Sequence, residues 1–445
     1  MSAGSVIQRR RGMKLIEQIM SDCSLAEATE VVRKNRGAAG VDHVEARDIR
    51  EYMQVHREEI RCAVLNMTYR PQPVRRVYIP KPNGRQRPLG IPTAADRVVQ
   101  TAVKTALEPV FDAGFSENSF GFRPGRGQHD AVRQALTYLN DGYEWIVDLD
   151  IEKYFDTVNH DKLISLIRTQ INDKATLHLI RSFLTAGVME DGVVIGNKEG
   201  TPQGGSISPL LANIYLDPFD KELERRGLRF CRFADDVVIF VKSERAAQRV
   251  MQSVTKWLES KLFLKVSATK TKVVRPSRSA FLGFTFWKST HGWKPKPLND
   301  RKARLYDNIR AVLCRRKAAA KPLSTIFRTV NLKVRGWINY YCIGSMKGFL
   351  REFGEWLRHK IRVVIFKQWK RPRTIFRNLS ILNRKFGSGF SAEEIRQTAN
   401  SRLGLYRTAG MKTANYLLSP TVLGTENRDR PGLIDPLQYY CSIIS

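Results

Sequence analysis

The chain has 445 residues, 42% of them hydrophobic, and its 75 Lys+Arg against 43 Asp+Glu give a formal net charge of +32. That length exceeds one ordinary core, so two or three domains are expected, and the charge calls for a polyanionic partner. No apolar run reaches the length of a membrane span, which leaves nucleic acid ahead of a membrane surface.

The six cysteines are dispersed without Cys-x-x-Cys spacing, which excludes a zinc ribbon and a disulfide framework. The seven histidines are equally scattered, with no H-E-x-x-H, and no Walker A pattern is present, so zinc hydrolases and P-loop motors lose their support. The opening MSAGSVIQRRRGMK has no apolar segment of signal-peptide type, and a cytoplasmic protein is expected. Charge is uneven: residues 291–445 hold 31 Lys+Arg and 9 Asp+Glu. A more acidic front part can hold chemistry while the basic back part holds the polyanion.

In chain order, residues 14–34 and 46–66 read as amphipathic helices joined by NRGAAGVD. Val77 to Pro80 and Arg85 to Ile91 read as a hairpin around Pro82-Asn83-Gly84, with Lys81, Arg85 and Arg87 on its arms. These cations suit either an edge strand protected from aggregation or a flap over a triphosphate. After a helix over 94–111, Arg123 and Arg126 lie in the loop SFGFRPGRG, where a phosphate backbone could approach; solvated loop arginines are the plainer alternative.

Alternation from Trp145 to Ile151 predicts a strand with Ile146, Asp148 and Asp150 on one face. A helix is expected from Phe155 to about Arg168, with Asp156 or Asn159 as its cap. Further helices are expected over 174–186, 208–224 and 244–262, and a hairpin around Glu190 to Gly192. The glycines of GTPQGG let backbone approach a ligand, with Gln203 among them.

LRFCRFADDVVIFVK, residues 228–242, reads as a β-hairpin with Asp235 and Asp236 at its turn, followed by strands at SATKTKVV and FLGFTFWK. The back part offers basic helices over 299–320 and 347–369, the latter with an apolar face at helical spacing and with Arg351, Arg358, Lys360, Arg362 and Lys367 on the remainder. From Gly387 the pattern weakens into loops and one or two short helices.

Asp alone is a common turn former, but Asp150 at a strand end together with Asp235 and Asp236 is the set that two-metal phosphoryl transfer requires. Hard carboxylate oxygens suit Mg²⁺, and no histidine base is needed. The ordered series IPKPNGRQRPLGIPT, SFGFRPGRG, VDLDIEKYFDTVNH, GTPQGGSISPLLANIYL, RFADDVVIF, TKTKVV and FLGF resembles the successive motifs of a reverse transcriptase of the bacterial group II intron type. NRGAAGVD and LKVRGWINYY resemble that family's N-terminal extension and maturase-associated thumb.

The resemblance implies an α+β right-hand polymerase: an N-terminal extension over 1–70, fingers and palm over 71–293, a helical thumb over 294–375 and a basic region over 376–445. Asp150, Asp235 and Asp236 would be the catalytic ligands of two Mg²⁺ ions. Lys81, Arg87, Gln203 and Lys270 would meet the incoming nucleotide, and Phe155 would exclude a ribose 2′-hydroxyl. Leu282 and Gly283 would hold the primer end, with Arg123, Arg126 and Arg335 as further nucleic-acid contacts.

Expected partners are a group II intron RNA or other structured RNA, a DNA primer or target and dNTPs, without a membrane, in a nucleoid-associated ribonucleoprotein. The expected function is RNA-directed DNA synthesis with maturase activity and retrohoming. The alternatives are a free-standing enzyme of DNA repair or phage defence, and an RNA-binding splicing factor that has lost polymerase activity. Two departures stand out: Phe233 replaces the family's Tyr before Ala-Asp-Asp, and no Cys/His nuclease module is expected.

Overall fold

The computed structural model describes residues 13–80, 84, 86–190, 192–196, 199–201, 204–387, 389–426 and 430–444. Lys81, Arg85 and Gln203 lie outside the described residues. The chain forms two compact units, Met1–Pro276 and Ser277–Ser445.

The first unit contains β1 (Val74–Pro80), β2 (Gln86–Ile91), β3 (Trp145–Asp150), β4 (Val188–Glu190), β5 (Val193–Ile195), β6 (Arg229–Phe233), β7 (Asp236–Val241) and β8 (Lys272–Val274). β1 and β2 pair antiparallel with Ile79 opposite Arg87, and β4 joins β1 in parallel, giving the order β2-β1-β4-β5. A second sheet, all antiparallel, has the order β6-β7-β3-β8. Its apolar residues, among them Ile146, Val147, Phe230 and Ile239, are buried. The helix Glu244–Trp257 packs on β3 and β7, and the helix Gln128–Asn140 packs on β6. Burying both faces of the central strands explains why the apolar runs of β3 and β7 carry so few polar breaks.

Helix starts follow local capping. Thr93 Oγ1 accepts from Asp96 N at 3.1 Å to open Ala94–Asp112, and Ser243 caps Glu244–Trp257. The expected helix from Phe155 to Arg168 is broken in two, a single turn at Tyr154–Thr157 and a helix at His160–Arg168. Val158 between them is extended, and Asn159 accepts from Lys162 N at 2.9 Å, so the capping side chain restarts the helix. The helix expected over 244–262 ends in a π-turn at Leu258–Leu262.

The second unit opens with the antiparallel hairpin of β9 (Phe284–Ser289) and β10 (Gly292–Pro297), followed by the helices Asn299–Val312, Leu323–Tyr341, Lys347–Trp369 and Pro372–Phe386. Tyr306 meets Phe349, Phe353 and Trp356 edge-on, which makes these aromatics packing groups. Arg362, expected on the solvated face of its helix, is buried and donates to the Leu418 carbonyl at 3.1 Å and to Asn415. It anchors the region beyond Gly387, which among the described residues holds five short helices between Ala392 and Ile444 where one or two were expected. None is longer than nine residues, too short for periodicity to declare itself.

No helix among the described residues is long and apolar enough to cross a membrane. All six cysteines are free; Cys231 in β6 is buried, while Cys23, Cys62 and Cys314 are exposed.

Candidate active site

Phe233 pairs with Asp236 across the β6–β7 hairpin, so the turn itself is Ala234-Asp235, and Asp236 is the first residue of β7. Ala234 has φ +58°, a conformation that normally selects glycine at the first position of a two-residue hairpin turn. The β7–β3 register sets Asp236 opposite Asp150, which brings the two carboxylate stations recognised in the sequence to adjacent strand ends.

Asp150 is fixed at its backbone by Ser267 N, which donates to its carbonyl at 2.9 Å, and by its own N–H, which donates to Thr271 Oγ1 at 3.2 Å. Lys270 Nζ donates to both of its carboxylate oxygens, at 2.9 and 3.1 Å. Desolvation raises the carboxyl of Asp235 above its ordinary range, and the nearby Asp150 charge adds to this, while Arg87 and Lys270 oppose it. Desolvation and then the charges of Asp235, Asp150 and Asp148 push Asp236 up to about 6. Asp148 lies 3.8 Å from Lys272.

This donor set consists of hard oxygens whose mutual repulsion a cation would relieve, and it fits Mg²⁺ in kind. Among the described residues no group of three or more His, Cys, Asp or Glu side chains stands arranged to hold a metal ion by itself.

Phe155 is half-buried and meets Tyr154 edge-on at 5.2 Å. With Arg76, Pro88, Gly90, Gly200 and Thr201 it lines a cavity of about 270 Å³. Thr201 N donates to the Phe155 carbonyl at 2.6 Å, Gly200 N to the Val158 carbonyl at 2.8 Å, and His160 Nε2 lies 2.7 Å from the Gly200 carbonyl. The start of the glycine loop is thereby docked on the Phe155 segment.

Residues 79–286 match the family described as reverse transcriptase (RNA-dependent DNA polymerase), and residues 302–381 match the group II intron, maturase-specific domain. Protein YkfC of Escherichia coli (strain K12) is 35% identical over 303 residues, covering 59% of this chain and 80% of that protein. Group II intron-encoded protein LtrA of Lactococcus lactis subsp. cremoris is 29% identical over 428 residues, covering 75% of this chain and 71% of that protein. The chain belongs to the group II intron-encoded reverse transcriptase family. As a member it is an RNA-directed DNA polymerase by class. Among solved structures, a chain of a partial Cas6-RT-Cas1--Cas2 complex is 25% identical with a TM-score of 0.37, over 56% of this chain and 43% of that one.

Other expected contacts of this reverse transcriptase fall in different places. Arg123 is buried, and its guanidinium donates to Asp112 Oδ1 at 2.6 Å and to the carbonyls of Ser116, Ser119 and Asp112. Its donors hold the loop together. Arg126 donates to the carbonyl and carboxylate of Glu117.

In the second unit, Leu282 (φ +51°) and Gly283 (φ +81°) form a turn whose carbonyls accept from Tyr340 Oη at 3.0 Å and Leu298 N at 3.1 Å. A Cβ at Gly283 would stand 2.8 Å from the Tyr341 hydroxyl, so glycine is required there. Arg335 is exposed, 5.7 Å from the Tyr439 ring, and lines a cavity of about 600 Å³ with Arg328 and Arg430.

The sequence alone did not disclose the group behind the Ala234-Asp235 turn. Arg232 and Asp220 are fully buried partners: Nε donates to Oδ1 at 2.8 Å and Nη2 to Oδ2 at 2.5 Å. Arg232 Nη1 donates to Asn213 Oδ1 at 2.9 Å and to the Ala234 carbonyl at 3.1 Å, holding the turn directly. A charged residue within the apolar run of β6 was the available signal, since such a residue is seldom buried without a partner.

Proposed function

We propose that this reverse transcriptase extends a DNA primer along an RNA template with two Mg²⁺ ions held by Asp150, Asp235 and Asp236, and that it acts with a group II intron RNA in splicing and in target-primed retrohoming. The observation that carries the chemical part is the Asp150–Asp236 register, with Asp235 in the adjoining turn. When bound, the ions would supply the charge that activates the 3′-oxygen and stabilises the leaving pyrophosphate.

The chain's own residues set up the rest. Lys270 neutralises Asp150 and offers an ammonium to triphosphate oxygens, which compete with the carboxylate for it. Arg87, close enough to Asp235 to favour its charged form, presents a guanidinium fork on the hairpin arm. Phe155, backed by the docked Gly200–Thr201 segment, closes the sugar side of the pocket against a 2′-hydroxyl. Lys81 and Gln203 are assigned to the nucleotide by resemblance alone.

The intron part rests on the maturase-specific match and on the excess of 31 Lys+Arg over 9 Asp+Glu in residues 291–445, suited to backbone charge and shape recognition of structured RNA. Asp235→Ala tests the assignment: primer extension on RNA should vanish while RNA affinity stays within about twofold. Extension by that variant at the normal rate would overturn the metal site.

A further inference from the structure

Across the β1–β2 hairpin Arg76 stands opposite Gly90 and Tyr78 opposite Pro88, so Arg76, Pro88 and Gly90 share one face, whereas Arg87, opposite Ile79, belongs to the other. The cavity of about 270 Å³ beside Phe155 is lined by Arg76, Pro88 and Gly90, which sets it on the face turned away from Arg87. Two polar groups of its wall are unfilled. Arg76 Nε and Thr201 Oγ1 are buried without a hydrogen-bond partner among the described residues, and Thr201 is only 4% exposed. Asp156 and Glu199 line the same cavity, yet among the described residues no ion pair joins either of them to Arg76. Buried polar atoms left open are costly unless something else completes them.

We infer that this cavity binds a single nucleobase, guanine. An anion would meet the carboxylates of Asp156 and Glu199, and a cation would meet the Arg76 guanidinium, which leaves a neutral ligand with acceptors on one edge and donors on another. Guanine offers O6 and N7 side by side, the pair that an arginine fork recognises, and its N1–H and N2 amino group suit a carboxylate. Val74, Val188, Pro88 and Phe155 supply apolar walls for the ring. The volume lies just below the roughly 300–1,000 Å³ of drug-sized sites, so it suits a base and not a whole nucleoside triphosphate. Phe155 is the wall shared with the nucleotide pocket, and that one relation rests on the polymerase reading. Thr201 N donates to the Phe155 carbonyl at 2.6 Å, and a Cβ on Gly204 would lie 2.4 Å from the Gly90 carbonyl oxygen, so the glycine loop, β2 and the Phe155 segment pack against one another around the cavity.

Equilibrium dialysis of the full-length protein with guanosine tests the site, since this nucleoside carries no phosphate for Arg87 or Lys270. Guanosine should bind saturably, and adenosine about tenfold more weakly or worse, the scale of one lost bidentate pair. Asp235→Ala should bind guanosine as the parent does. Arg76→Met keeps the stem and loses the fork, so its melting temperature should match the parent's while its guanosine affinity falls about tenfold or more. No saturable binding of guanosine, equal binding of adenosine, or undiminished binding by Arg76→Met overturns the site. Excess structured RNA distinguishes two sources of the base: displacement of guanosine assigns it to an unpaired RNA residue, and retention assigns it to a free nucleoside. Primer extension is measured in parallel. A chain that binds guanosine but extends no primer overturns the polymerase reading and leaves the site standing.

Discussion

Lys270 donates to both oxygens of Asp150, at 2.9 and 3.1 Å. Its ammonium occupies the carboxylate that a divalent cation would need. Both side chains are partly exposed, so the pair contributes about 0–1 kcal/mol to folding and its weight is functional. Lys270→Met should leave the melting temperature within a few degrees, lower the Mg²⁺ concentration for half-maximal extension and raise the KM for dNTP. A Mg²⁺ titration that superimposes on the parent's would refute the competition.

Asp220 and Arg232 carry a different kind of pair, fully buried, so removing one partner strands a charge. Asp220→Ala should cost about 3–5 kcal/mol in urea denaturation. Replacing both, Asp220→Leu with Arg232→Met, should recover most of that loss. Because nothing then donates to the Ala234 carbonyl, extension should stay impaired in the double variant. Full activity at recovered stability would show that the network holds only the fold.

Asp236 provides a pH test without metal. Its folded carboxyl is raised to about 6 from the ordinary 3.8, so its contribution to stability is fully present below pH 3.8 and is lost as pH rises through 6. Asp236→Asn lacks that loss. Thermal melts in chelator should therefore show the variant gaining on the parent between pH 4 and 7, a gap that Mg²⁺ reduces. Parallel melting curves over that window would contradict the electrostatic crowding.

Phe155→Ala should admit ribonucleotides, and Gly200→Ala should act on the same property from behind. Gly200 has φ +88°, and an added Cβ would stand 2.7 Å from the Phe155 carbonyl, so the docked backbone must shift. Single-nucleotide incorporation should show relaxed sugar discrimination in both variants, with reduced stability in the second. If Phe155→Ala still rejects ribonucleotides, another residue is the gate.

The carboxylate stations and most long helices were legible because strand alternation and helical spacing report local burial; the helix Lys347–Trp369 runs over the span its apolar stripe predicts. What escaped depends on tertiary partners. Nothing near Arg232 in sequence announces Asp220, twelve positions earlier on a helix, and Arg123 and Arg362 look like solvated cations until their acceptors are seen. The break at Val158 is hidden because Asp156 and Asn159 both look like caps of one helix starting at Phe155, whereas Asn159 caps a second. Ala234 gave no signal at all, since alanine rarely marks a turn that requires positive φ.

The distribution of thiols supplies a clock for the sheet that carries the acids. Cys231 is buried opposite Val238, with its thiol pushed well above the ordinary range, while Cys23, Cys62 and Cys314 face solvent. An alkylating reagent therefore marks the surface thiols quickly and reaches Cys231 only when β6 parts from its neighbours. In a variant with every other cysteine replaced, the rate of Cys231 alkylation times local opening of the β6–β7 hairpin, and substrate binding can be read as a slowing of that chemistry.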